Sequence, residues 1–429
     1  MDRAEQRARG KAAREALPLE ALADVAPADR DPVAIVRADD VGRLETLVPI
    51  RHERMAESAF AFYRGSAGLM ATDLAPLPRS GLHTQLCGDA HLSNFGLYGS
   101  PERALVFDLN DFDETLPGPF EWDVKRLVAS MVVAARDCGF KPKHQRAAAH
   151  AAASRYRTAM RELADLPALS AWHVQLEVDR ALETVDDDAF RAFAAGVAER
   201  ARGKDHLQAV ARLTDVVDGQ RRIVPDPPLI VPLPDDLVDT PFDEYVQSVR
   251  DDVQVLLGRY EIADAALKVV GVGSVGTRCA IVLLQGSDEH DLLFLQVKEA
   301  GTSVLERHLP PSVHPHGGRR VVHGQRLLQS ASDAFLGWSD GAHGRHYYWR
   351  QLRDWKGSAP IDKMTPEVMT RYGAVCGWAL AKAHARAGDR ITLAAYMGSS
   401  ERFEDALVRF ACAYADQVER DYAAFKAAS

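Results

Sequence analysis

Long apolar runs, paired cysteines and a concentrated basic surface are all missing from this chain. No stretch approaches the roughly 18 consecutive apolar residues that a helical membrane span needs, so no membrane partner is expected. The five cysteines (Cys87, Cys138, Cys279, Cys376, Cys412) are odd in number, scattered and without a CxxC pair. Neither a disulfide framework nor a thiolate zinc site is expected, and a reducing cytoplasm is the expected location. The formal net charge is -9. Binding nucleic acid by counterion release requires clustered Lys and Arg, so no nucleic-acid partner is expected either. There is no HxxxH pair of the kind zinc sites favour, no internal repeat, and no low-complexity tract beyond a mild alanine bias. The N-terminal MDRAEQRARGKAAREALPLEALADVA mixes acids with its arginines and has no continuous apolar core. It fails as a secretory signal and reads as a frayed or surface helix.

What is present suffices for a substantial core: 429 residues, 47% hydrophobic and 26% charged, enough for one large bilobal unit or two to three domains. Val124, Leu127, Val128, Met131, Val132 and Ala135 recur at helical spacing after the turn PGPFEW, and Ala-rich helical patterns continue to about residue 215. The proline-rich VPDPPLIVPLPDD, 224–236, cannot continue a helix and reads as an extended linker. A short helix is expected near 241–259, then a hairpin of two β-rich runs around the polar turn Gly286 to His290. A helix around Arg319 to Ser332 follows, with FLGW and HYYWRQL as two more strands. Tyr372, Val375, Cys376, Ala379, Leu380 and Ala383 mark one later helix, and Phe403, Leu407, Phe410, Tyr414 and Val418 another.

Two stretches carry chemistry. In GVGSVG, Gly271, Gly273 and Gly276 have GxGxxG spacing, with Ser274 between them; such a loop lets backbone N–H groups approach a polyphosphate. A dinucleotide-binding turn, and with it an NAD-dependent oxidoreductase, would require a helix after Gly276. The β-branched TRCAIVLL predicts a strand instead, which suits a kinase-type phosphate loop. Lys298 ends the paired run FLQVKEA, where its ammonium could reach nucleotide phosphates. In LCGDAHLSNFGL, Asp89 could take a proton from an acceptor hydroxyl, while Asn94 and a downstream aspartate of VFDLNDFDE could hold magnesium through hard oxygen ligands. His91 reads as a hydrogen-bonding scaffold, and Arg64, in SAFAFYRGSAGLM, as a packed guanidinium or a phosphate or substrate contact.

CGDAHLSN resembles the HGDxHxxN catalytic loop of aminoglycoside and choline-type phosphotransferases, members of the protein-kinase-like superfamily, and NDFDETLPGPFEWDVKRL resembles their metal-binding segment. The resemblance implies Asp89 as catalytic base, Asn94 and Asp111 as magnesium ligands, and Asp123 as the acid at a helix head, with Asp108 and Asp113 as rival metal ligands. Cys87 stands where the family has its first histidine. The order is inverted, because the glycine loop and lysine follow the catalytic loop, and YGAVCGWALAKAHARAGD resembles the helix that precedes that loop in phosphotransferases.

The implied fold is therefore α+β, a bilobal protein-kinase-like fold in circularly permuted order. Residues 1–225 and 361–429 would form the large helical lobe, 226–240 the Pro-rich linker, and 241–360 the small β lobe. YYWRQLRDWKGS resembles the hinge, with the backbone of Gln351, Leu352 and Arg353 facing adenine. Glu306 or Gln325 would partner Lys298.

The implied cofactors are ATP and Mg2+. The implied activity is phosphoryl transfer to a hydroxyl on a small molecule or protein, with adenylyl transfer or a nucleotide-binding pseudokinase as alternatives. From about residue 50 to 390 the chain also resembles an uncharacterised bacterial family, domain of unknown function twenty-two fifty-two, through the blocks FYRG, CGDAHLSNFG, FDLNDFDET, VGVGSVGTR and RQLRDWKGS.

Overall fold

A computed structural model describes residues 1–26, 29–233, 242–269, 275–352 and 354–428. The chain is a mixed α+β fold with one extensive helical core and one six-stranded antiparallel sheet.

The helical core is organised by Phe120–Asp137, which is buried almost all round rather than along one stripe. Helices Pro142–Asp165, Pro366–Ala387 and Arg402–Ala428 surround it. The alanine bias has a packing cause. Ala148, Ala149, Ala152 and Ala153 line the buried side of Pro142–Asp165, where they let Pro366–Ala387 approach so closely that a Cβ on Gly377 would stand 2.1 Å from the Ala152 carbonyl oxygen. The N-terminal helix Arg3–Ala16 is docked rather than frayed. Asp2 and Glu5 close a capping box at its start, and Gly10 is pressed against Thr392 and Ala395 of the helix Arg390–Met397.

The sheet runs in the order Gly337–Gly341, Arg345–Gln351, Leu292–Glu299, Cys279–Gln285, Glu261–Lys268 and Ile230–Pro232. Period-two alternation divides its faces. Val282, Leu284, Leu295, Val297 and Trp349 pack under Tyr245, Val249, Val253 and Leu257, which come from the 242–259 region as two short helices, Phe242–Ser248 and Asp251–Leu257, and the turn between them. Ile281, Leu283, Phe294 and Leu352 pack under Ala209 and Leu213 of the helix His206–Leu213.

The proline-rich stretch expected as a linker supplies the edge strand Ile230–Pro232. An edge tolerates proline because one side of the strand needs no ladder donor. The hairpin Thr214–Val217 and Gln220–Ile223 also sits beside this sheet.

Two further two-stranded pairs hold the loop of interest: His83–Leu86 with Leu116–Pro119, and Phe95–Gly99 with Leu105–Leu109. Among the described residues, no helix is long and apolar enough to cross a membrane.

Candidate active site

The loop 87–94 leaves the strand His83–Leu86 and is held from below by Asp123, in the first turn of Phe120–Asp137. The Asp123 carboxylate accepts the amides of Cys87 (2.8 Å) and Gly88 (3.0 Å) and lies 3.2 Å from Nε2 of His384. Nδ1 of His384 is in turn 2.8 Å from the Tyr156 hydroxyl. Gly88 has φ 86, and a Cβ there would meet the Glu114 carbonyl oxygen at 2.2 Å, so only glycine fits. Leu92 N–H donates to the Ser130 hydroxyl at 3.0 Å. Loop geometry thus rests on Asp123, His384 and Ser130. His384, from the LAKAHA run, was not picked out by sequence; its place beside an acid at a helix head becomes visible only when the two helices meet.

Asp89 is bound by Arg126, whose Nε donates at 2.7 Å while its other arm reaches the Tyr63 carbonyl oxygen. Burial pushes the Asp89 carboxyl up, and Arg126 only partly offsets that. The Asn94 side-chain amide donates to the Asp89 carbonyl oxygen at 2.8 Å and closes the loop. His91 is buried, and burial pulls its imidazole well below its usual range, so it is neutral.

Asp111 and Asp113 follow the strand Leu105–Leu109 and meet Lys298, which lies 185 residues beyond Asp113. Lys298 Nζ is 2.6 Å from Asp113 and 4.0 Å from Asp111. Asp113 also accepts from the Tyr348 hydroxyl at 2.7 Å, because Tyr348 is directly opposite Lys298 in the sheet register. Burial and the neighbouring Asp113 push Asp111 up. Burial acts the same way on Asp113, but Lys298 and Tyr348 outweigh it and hold that carboxyl below the usual carboxylate range. The lysine's partner is therefore Asp113. Glu306 is occupied in a capping box with Ser303, and Gln325 donates to Gln329 at 3.0 Å.

Asp108 requires a correction as a metal ligand. Strand alternation turns it into the core, where it pairs with Lys382; the two side chains are 3% and 1% exposed. In the run expected as the hinge, the Gln351 amide donates to Asp333 at 2.7 Å and the Leu352 amide to the Phe294 carbonyl oxygen at 3.1 Å, so both of these N–H groups are already engaged. Gly271, Gly273, Ser274 and Arg353 lie outside the described residues. Gly276 is described, with φ 90; its carbonyl oxygen accepts from Leu44 at 2.7 Å. The chain then enters the strand Cys279–Gln285, and with no helix there the dinucleotide-turn reading fails.

Asp89, Asp111 and Asp113 line one cleft of about 640 Å³ together with Arg64, Thr277 and Gly301. Arg64 Nε is buried there without a hydrogen-bond partner. Asp111 is open to this cleft, its side chain 36% exposed.

Among the described residues, the group with ligand atoms drawn close enough to enclose an ion lies elsewhere: His316, Asp340 and His346, all within 4.8 Å of one another. Their chemistry does not fit a metal. Nδ1 of His316 accepts the Arg319 amide at 3.1 Å and Nδ1 of His346 accepts the Gly317 amide at 3.0 Å. Each neutral ring then carries its proton on Nε2, the atom that faces Asp340 at 3.4 and 3.8 Å.

The fold and cleft define a mixed α+β protein in which a sheet lysine meets an acidic loop cluster on the edge of a helical core. The chain belongs to the family described as an uncharacterized protein conserved in bacteria (DUF2252), whose family model matches residues 43–428. No curated protein and no solved structure matches it.

Proposed function

We propose that this protein is an ATP- and Mg2+-dependent phosphotransferase of the protein-kinase-like kind, with its catalytic half placed before its nucleotide-binding half in the chain. The observation that carries the reading is the meeting of Lys298 with Asp111 and Asp113, in the cleft that Asp89 also lines. These residues belong to segments far apart in sequence.

In this reading Asp89 receives the proton of the acceptor hydroxyl, and its raised pKa makes it a better base than an exposed aspartate. Arg126 and Asn94 keep it oriented. Lys298 and the unpartnered edge of Arg64 balance phosphate charge. Asp111 and the side-chain oxygen of Asn94 would hold magnesium. A carboxylate and an amide oxygen are hard ligands that suit an ion keeping several waters and taking the rest of its shell from phosphates. Bound magnesium supplies charge neutralisation at those phosphate oxygens. The acceptor is a hydroxyl on a small molecule or protein.

The test is thermal unfolding with and without ATP and magnesium, followed by mass spectrometry of the products. A stabilisation that needs both ligands and is lost in Asp111→Ala supports the proposal. The product mass separates a transferred phosphoryl group from a transferred AMP. The absence of any shift at millimolar nucleotide rejects it.

A further inference from the structure

The run QLRDWKG is not used by the cleft around Asp89. After the strand Arg345–Gln351 the chain folds back onto Phe95–Gly99. The Gly99 amide donates to the Asp354 carbonyl oxygen at 2.9 Å, and Leu97 and Gly357 exchange hydrogen bonds of 2.7 and 3.0 Å. Between these anchors Trp355 adopts φ 55, in the left-handed region that large side chains rarely enter. The Trp355 amide donates to the Lys204 carbonyl oxygen at 3.1 Å. Arg103, also left-handed at φ 63, lays its guanidinium 4.3 Å over the Trp355 ring and reaches Asp354 at 2.6 Å. Lys356 is thus carried on a backbone clamped on both sides.

Its side chain lines a cavity of about 160 Å³ with Arg350, Asn110, Gln325 and Asp333, and this cavity shares no lining residue with the cleft around Asp89. Among the described residues Lys356 makes no hydrogen bond and no ion pair. The acids of the cavity are already engaged. Asp333 accepts the amides of Gln351 (2.7 Å) and Phe335 (2.8 Å), and Asp354 holds Arg103. Arg350 directs its Nε to Gln296 at 2.9 Å, and among the described residues no carboxylate lies within ion-pair distance of it. A desolvated ammonium beside a guanidinium, with no carboxylate of its own, is an unfavourable arrangement that a ligand anion relieves.

We infer that this cavity is an oxyanion site, in which Lys356 and Arg350 together receive a phosphate group. Burial and the neighbouring Arg350 charge lower the Lys356 ammonium to about 7, and Asp333 offsets them only in part. The phosphate comes either from a free small ligand or from a nucleotide, and the chemistry recognised is the same. The site is independent of the nucleotide reading of the cleft.

The test is pulse acetylation of lysines on the full chain at neutral pH with an N-hydroxysuccinimide ester, read by peptide mass spectrometry, with exposed Lys143 as internal reference. It is run without ligand, with inorganic phosphate, and with ATP plus magnesium. Lys356 is expected to label faster than Lys143 without ligand, and its labelling to fall several-fold with an occupant. Protection by inorganic phosphate alone identifies a free-anion site, and protection by ATP only assigns it to the nucleotide's phosphates. Labelling unchanged by both overturns the inference. As a second readout, Lys356→Arg should keep and Lys356→Gln should lose the stabilisation that the protecting ligand gives. A Lys356→Gln protein that keeps it also overturns the site, whatever Asp111→Ala does to the cleft.

Discussion

Asp108 and Asp111 stand three residues apart, and each faces a lysine from a distant part of the chain, yet the two pairs have opposite characters. Asp108 and Lys382 are enclosed, and the ammonium also reaches the Leu328 carbonyl oxygen at 3.0 Å. Asp111 is 36% exposed, stands 4.0 Å from Lys298, and opens on a cleft. The difference lies in the backbone that presents them. Asp108 belongs to a regular strand, whose alternation turns it into the helix Pro366–Ala387, whereas Asp111 lies in the irregular segment beyond that strand. A carboxylate in a regular element is committed by its packing, and one in an anchored loop remains available to a ligand.

The comparison can be broken most directly at Lys382. Lys382→Met leaves the Asp108 charge uncompensated in the core and is expected to cost about 3–5 kcal/mol in denaturant unfolding. Adding Asp108→Leu should recover most of that loss, since replacing both partners by apolar groups is often neutral. A single variant costing less than about 1 kcal/mol would mean that the pair is not closed.

A smaller effect is expected at the open pair. Lys298→Met should cost about 1–2 kcal/mol, between the ranges for exposed and buried pairs, because the Asp113 side chain is 28% exposed and keeps the Tyr348 hydroxyl. The same variant should lose all stabilisation by ATP plus magnesium, whereas Lys382→Met should keep it. Thermal shift at matched protein and ligand concentrations checks both.

Smaller still is a pH effect from Glu114, which lines the same cleft and accepts from Val304 at 2.7 Å and Ser303 at 3.0 Å. Burial raises its carboxyl from 4.5 to about 7. Between those values the folded chain keeps a proton that the unfolded chain has released, so this group's contribution to stability falls as pH rises through that window. The expected slope amounts to on the order of 1 kcal/mol across it, after allowing for solvent screening. Glu114→Gln should flatten it, and an unchanged profile would place Glu114 outside the titrating set.

Much of this architecture was legible. The runs of β-branched residues around Gly286 predicted the hairpin Cys279–Gln285 and Leu292–Glu299, and the spacing of Tyr372 to Ala383 predicted the helix Pro366–Ala387. Asp89 stood out in a dense polar block, and the choice of Asp111 among its neighbouring acids came from the resemblance to the phosphotransferase metal-binding segment. The partners of these residues were hidden. Arg126, which binds Asp89, looks in sequence like any charged residue on a helix, and Asp113 was only one acid among several. Helix His206–Leu213 reads as a continuation of the alanine-rich region, yet it covers one face of the sheet.

The sequence by itself determined the element types, through period-two and 3.6-residue apolar spacing, and the loops that concentrate polar chemistry. Those properties depend on neighbours within a few residues. Tertiary structure alone decided that Lys298 pairs with Asp113 across 185 residues, that Lys382 closes on Asp108 across 274, and that Lys356 faces a cavity whose two carboxylates, Asp333 and Asp354, are engaged by other groups. The physical reason is that a buried charge is defined by what packs against it, and in this chain the packing partners come from opposite ends of the sequence.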